Sequence, residues 1–143
     1  MGFLKGNTVV VPWDFSDMSK SALAKALELV GNADLIRVIH VSQLPSAMEP
    51  GVVWQTVTKE SISTHSHESF EKYLEEQGLP DISFTTIFGD PGSMIAEFAD
   101  EANAELIVIS SHGRTGLKRM FIGSVAERVV RMAHCDVLVL RHR

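Results

Sequence analysis

The stretch Ser110 to Ser124, SSHGRTGLKRMFIGS, sets Gly113, Gly116 and Gly123 among hydroxyls and cations directly after an apolar run. Glycines permit positive φ and close backbone approach, so main-chain amides become available as donors. Arg114 can fork onto two oxygens of one phosphate, and Ser124 offers a hydroxyl where a helix begins. What these residue types do together is bind an anion, and phosphate is the natural guest. The familiar phosphate patterns are absent: there is no GxxxxGK[ST], and no GxGxxG follows the first apolar run. That argues against a P-loop ATPase and against a nicotinamide dehydrogenase. Lys118 and Arg119 read as solvated surface cations outside the site.

Other reactive residue types carry less. Asp14, in the PWDFS stretch after the first apolar run, reads either as a ligand-facing carboxylate or as a brace for its own turn. His112 stands equally for a ligand contact and for an ordinary loop histidine. Ser124, with Glu127 three positions on, predicts a capping box at a helix start. His65 and His67 are one residue apart on a predicted helix and point to different faces, which disfavours a metal pair. Cys135 has no identified base beside it and reads as a packed, inert thiol.

The elements that must position these residues alternate strictly. TVVVP from Thr8, LIRVIHV from Leu35, ISFTTIF from Ile82, LIVIS from Leu106 and VLVL from Val137 have strand length and branched side chains. Between them, Ser16 opens a helix in which Ala22, Leu23, Ala26, Leu27 and Val30 recur at helical spacing, stopped by Gly31-Asn32. A second helix runs roughly from Val57 to Gln77 with Phe70 and Leu74 and stops at Gly78. A third enters at Asp90-Pro91 with Ile95, Phe98 and Ala99 inward, and a fourth runs from Ser124 through Val125, Val129 and Met132. This order predicts an α/β fold: an open five-stranded parallel sheet with helices on both faces, joined by right-handed crossovers. Ligands in such sheets bind beyond the carboxyl ends of the strands, which is where PWDFS, HVSQ and the glycine-rich stretch all lie. Residues 42 to 56 are long for a connection and read as a flap or a loop, with Met48 and Trp54 either over a ligand or against the body.

The totals bound the rest. A chain of 143 residues fits one domain over 1–143, with a self-sufficient core. A net charge of −5 gives no reason to expect nucleic-acid binding, and any anion site must be local. The single cysteine points to a reducing, cytoplasmic compartment, and no apolar run is long enough to span a membrane.

SHGRTGL, nine residues between Gly113 and Gly123, then GSVAERVV and a closing VLVLR resemble the universal stress protein family, as do PWDFSDMSKSAL and FGDPGSMI. Its nucleotide-binding branch is marked by Gly, two residues, Gly, nine residues, then Gly-Ser or Gly-Thr. The resemblance implies a Rossmann-like, adenine nucleotide alpha hydrolase-like fold. It also implies a site for ATP, or ADP or AMP, with Mg or Mn accompanying the phosphates, built on Pro12, Trp13, Asp14, Val41, Ser110, His112, Gly113, Arg114, Gly116, Gly123, Ser124 and Val125. In it Asp14 holds the ribose region, Val41 meets adenine with its backbone, Ser110, His112 and Gly113 line the ribose and phosphate path, and Gly123, Ser124 and Val125 close over the phosphates.

Two residues depart from the pattern. Ser110 replaces the first motif glycine, and Trp13 replaces a smaller residue, either to stack on adenine or to fill the pocket. The family's strand order also puts the last strand, Val137 to Leu140, at a sheet edge, where a flat apolar strand implies a homodimer paired across a two-fold axis. Arg141 and Arg143 would then limit further pairing. The competing readings are a slow ATPase using Asp14 or His112, an interaction module without nucleotide that answers to some other protein, and a phosphorelay receiver. The receiver lacks the lysine it needs after the fifth strand.

Overall fold

The computed structural model describes residues 7–44, 58–112 and 122–141. The chain alternates through β1 (Val9–Pro12), α1 (Asp17–Val30), a single 3-10 turn (Ala33–Leu35), β2 (Ile36–Ser42), α2 (Lys59–Gln77), β3 (Ser83–Phe88), α3 (Pro91–Glu101), β4 (Leu106–Ser110), α4 (Ser124–Met132) and β5 (Asp136–Leu140). The strands form one five-stranded sheet in the order β3-β2-β1-β4-β5, and every pairing is parallel. The expected fold class is the one observed.

Alternation along each strand divides the core into two layers. Val9, Val11, Ile36, Val38, Leu106 and Val108 face α1 and α2, meeting Ala22, Leu23, Ala26, Phe70 and Leu74. Val10, Ile39, Ile107 and Ile109 face α3 and α4, meeting Ile95, Ala99, Ala126 and Val129. Because β1 is covered on both faces, its three valines have no solvent exposure at all, which is why it reads as an unbroken apolar run.

Helix ends follow from their capping chemistry. Ser16 accepts from the Ser19 amide at α1, and Asp90 accepts from the Ser93 amide at α3 with Pro91 in the first turn. Thr58 and Ser61 complete a capping box at α2, so that helix begins at Lys59; Val57, the expected start, lies outside the described residues. Gly31 and Gly78 stop α1 and α2 at φ values of 67° and 65°, the left-handed backbone that glycine adopts without strain.

The start of α4 differs from expectation. Gly123, not Ser124, occupies the capping position, with no side-chain cap hydrogen bond. Ser124 already belongs to the first turn, and Glu127 pairs with Arg131 at 3.3 Å. A capping box needs its serine in extended backbone just before the helix, and here that conformation falls one residue earlier. Met132 and Val125 are exposed flanks of α4, and Ala126 and Val129 form its buried stripe.

Candidate functional site

The strand order reverses between β1 and β4: the chain builds outward through β2 and β3, then returns to the other side of β1. Loops leaving β1 and β4 therefore diverge, and a crevice opens between them at the carboxyl ends of the strands.

The exit from β1 is fixed tightly. The Trp13 amide donates to the Ile39 carbonyl at 2.8 Å, and the Trp13 carbonyl accepts from His40 Nδ1 at 2.8 Å. Asp14 Oδ1 accepts from the Ser16 amide at 3.0 Å and from the Ser16 hydroxyl. Ser19 Oγ accepts from the Asp14 amide at 3.4 Å and donates to the Ser16 carbonyl at 2.9 Å. Asp14 thus braces its own turn, the plainer of its two readings, and lines the crevice as well. Phe15 between them has φ of 65°, a left-handed conformation that costs a bulky side chain roughly 1–3 kcal/mol.

The exit from β4 is tied with equal density. The Ser110 hydroxyl donates to the His112 carbonyl at 2.6 Å and accepts from the His112 amide at 3.3 Å. The Ser111 amide donates to the Leu140 carbonyl at 2.8 Å, and the Gly123 amide donates to the Ser111 carbonyl at 2.6 Å. His112 is buried with Nδ1 3.1 Å from Ser111 Oγ, and its Nε2 has no partner among the described residues. Of the two freedoms that glycine offers at Gly123, positive φ is not used, since φ is −65°, and close backbone approach is. A Cβ there would lie 2.6 Å from the Ser111 carbonyl oxygen.

These exits enclose a cavity of about 300 Å³, the low end of the range for small-molecule sites. Pro12, Trp13, Asp14, Val41, Ser110, His112, Gly123, Ser124 and Val125, the expected site residues that the structure describes, all line it. Gly113, Arg114 and Gly116 lie outside the described residues, as do Met48 and Trp54. Sequence reasoning missed the rest of the wall: Ser16 and Ser19 at the start of α1, Pro91 and Ile95 at the start of α3, the strand residues Ile39 and Ile109, Ser111 after β4, and Ala126 in α4. The Asp90-Pro91 entry, at the same end of the sheet, was the available signal for the α3 side.

Neither departure from the family pattern closes the cavity. Trp13 is only 3% exposed, its ring edge-on to Phe70 at 5.1 Å and to Phe15 at 6.0 Å and tilted on Tyr73 at 5.1 Å. It is part of the α1–α2 core layer and touches the cavity from the side. The Ser110 hydroxyl folds onto its own loop.

Chemically the wall has two characters. Ile39, Val41, Pro91, Ile95 and Ile109 make an apolar part; Asp14, the serines and the start of α4 make a polar one. Among the described residues, Asp14 and His112 are its only titratable groups, and no group of three or more metal-binding side chains occurs. His67 instead pairs with Glu71 at 2.9 Å on exposed α2. Cys135 is half-buried, and burial first, then the Asp136 charge, pushes its thiol pKa up, away from reactivity.

An open parallel sheet with a two-sided crevice at its switch point, floored by a helix N-terminus, defines a Rossmann-like α/β protein. Comparison with known proteins narrows the class: the universal stress protein family model matches residues 6–141, and the chain belongs to that family. A universal stress protein of Methanocaldococcus jannaschii is 36% identical over 93% of this chain and 81% of its own length. Among solved structures, a universal stress protein from Lactobacillus plantarum superposes with a TM-score of 0.73 at 19% identity, covering 96% of this chain and 99% of that one. A universal stress protein in complex with cAMP gives 0.58 at 25% identity over 94% and 96% of the two chains. A relative from Arabidopsis thaliana with AMP bound gives 0.60 at 19% identity over 96% and 92%.

Proposed function

We propose that this chain binds ATP or a related adenine nucleotide, ADP or AMP, and acts as a homodimeric, cytoplasmic regulator in the stress response. The observation that carries this reading is the α4 N-terminus at the cavity wall. The other three helices have side-chain caps at Ser16, Thr58 and Asp90, and α4 has none. Among the described residues no side chain caps its first-turn amides, so these and the positive dipole end suit an anion supplied from outside. Phosphates fit there, the apolar wall around Val41 and Ile95 fits a base, and Asp14, which only accepts hydrogen bonds, fits ribose hydroxyls. The structure of a relative with cAMP supports the same ligand class. Mg or Mn would arrive with the phosphates, since Asp14 is the only carboxylate on the wall among the described residues. Pairing through the edge strand β5, residues Val137 to Leu140, makes the dimer.

A thermal-shift titration with ATP and Mg, on protein stripped of carried ligand and refolded, tests the reading. At about 100 times Kd the expected stabilisation is roughly 2.7 kcal/mol, a shift of about 5 to 10 °C, with GTP giving much less. No shift at millimolar ATP would move the function to a protein-interaction module on the same fold. A solution mass of two chains is expected, falling to one when Leu138 is replaced by lysine. A wild-type mass of one chain would remove the dimer.

A further inference from the structure

We propose that His40 is the positioning residue that holds the Asp14 carboxylate at the cavity. Its side chain lies on the opposite face of β2 from Val41, and it does not line the cavity itself. It touches both residues that flank Asp14. On one side, Nδ1 is 2.8 Å from the Trp13 carbonyl; that oxygen can only accept, so the hydrogen is on Nδ1. On the other side, the imidazole meets the Phe15 ring edge-on at 5.1 Å.

Phe15 is the residue in left-handed backbone, and such a conformation persists only where its surroundings over-determine it. His40 supplies that constraint as a rigid plate, stacked on Phe84 at 6.4 Å with 16° between planes. With the Trp13 amide already fixed to Ile39, the His40 clamp leaves the peptide between Trp13 and Asp14 one orientation. Ser16 then locks the carboxylate that this peptide carries. The consequence for ligand choice rests on the nucleotide reading above: His40 sets affinity for the ribose-bearing part of a nucleotide and leaves phosphate contacts at α4 alone.

The test uses His40→Phe, which keeps the ring and loses the donor, His40→Asn, whose amide nitrogen sits near the Nδ1 position, and His40→Gln, whose amide reaches the wrong place. In ligand-free protein, exchange of the Ser16 amide should quicken about five- to tenfold in the Phe and Gln variants and return towards wild type in the Asn variant. ATP affinity should fall by a similar factor in His40→Phe, recover in His40→Asn, and fall no further when Asp14→Ala is already present. Inorganic triphosphate affinity should not change. Unaltered Ser16 exchange in His40→Phe, or losses that add to those of Asp14→Ala, would overturn the proposal. If wild-type protein does not bind ATP, the nucleotide reading fails by itself, and Ser16 exchange still decides the role of His40.

Discussion

Replacing Trp13 with alanine should lower stability by about 3–5 kcal/mol, a fall in Tm of very roughly 10 to 20 °C. The side chain is 3% exposed and is wedged between Phe70 and Tyr73 of α2 and Phe15 of its own turn. Truncation leaves a cavity at the junction of β1, α1 and α2 that neither helix can fill without leaving Leu23 or Leu74. Trp13→Phe is the informative partner. The indole Nε1 is buried without a partner among the described residues, so removing it sacrifices volume but no hydrogen bond, and the cost should be near 1 kcal/mol. The pair also separates the two roles a tryptophan in this turn can have. If the ring stacked on a base, Trp13→Phe would weaken ATP binding while barely moving the ligand-free Tm; a core ring leaves ATP affinity nearly unchanged. Chemical denaturation with and without ATP reads both.

The same residue shows what a sequence can and cannot carry. Strand and helix positions were legible because they depend on local terms. The valines of β1, the spacing of Ala22, Leu23 and Ala26, and glycine at 31 and 78 each act within a few residues. The parallel order then follows from alternation, and with it the end of the sheet where ligands sit. The direction of Trp13 was not legible, since it is decided by Phe70 and Tyr73, which reach it only after α2 has docked. The left-handed backbone of Phe15 was invisible for the same reason: local preference opposes it, and His40 and Phe84, from two other strands, hold it.

Within the site, most residues at the exits of β1 and β4 were found, and those contributed by the starts of α1 and α3 and by the strand faces were missed. Ile39 and Ile95 read as core, and they are core except where the crevice ends against them. The cap of α4 was misread because Ser124 and Glu127 have the right identities and spacing, while the extended φ and ψ that a cap needs are set by how Gly123 fits under Ser111. That misreading changes the chemistry. With Ser124 as a cap, one amide of the first turn would already be satisfied; with Gly123 there, no cap side chain satisfies it, and the proposed phosphate site rests on that.

Gly123→Ala should therefore abolish most ATP binding and cost about 1–3 kcal/mol of stability. Its φ of −65° suits any residue, so backbone freedom is not the reason. The reason is the Ser111 carbonyl, 2.6 Å from the position of the new Cβ, with the His112 Cα at 3.4 Å. That carbonyl cannot retreat easily, because the Ser111 amide is bonded to Leu140 of β5 and β4 is held on both sides in the sheet. The helix must move instead, carrying the first-turn amides away from the cavity and breaking the Gly123 to Ser111 hydrogen bond. Gly31→Ala is the control: its φ is 67° with nothing within 4 Å of the added carbon, so it should cost about 1 kcal/mol through backbone strain and leave ATP affinity alone. Loss of ATP binding in Gly123→Ala and its retention in Gly31→Ala, at comparable stability, would place the phosphates at the start of α4. Equal ATP affinity in the two variants would put them elsewhere, and the missing cap of α4 would then need a different guest.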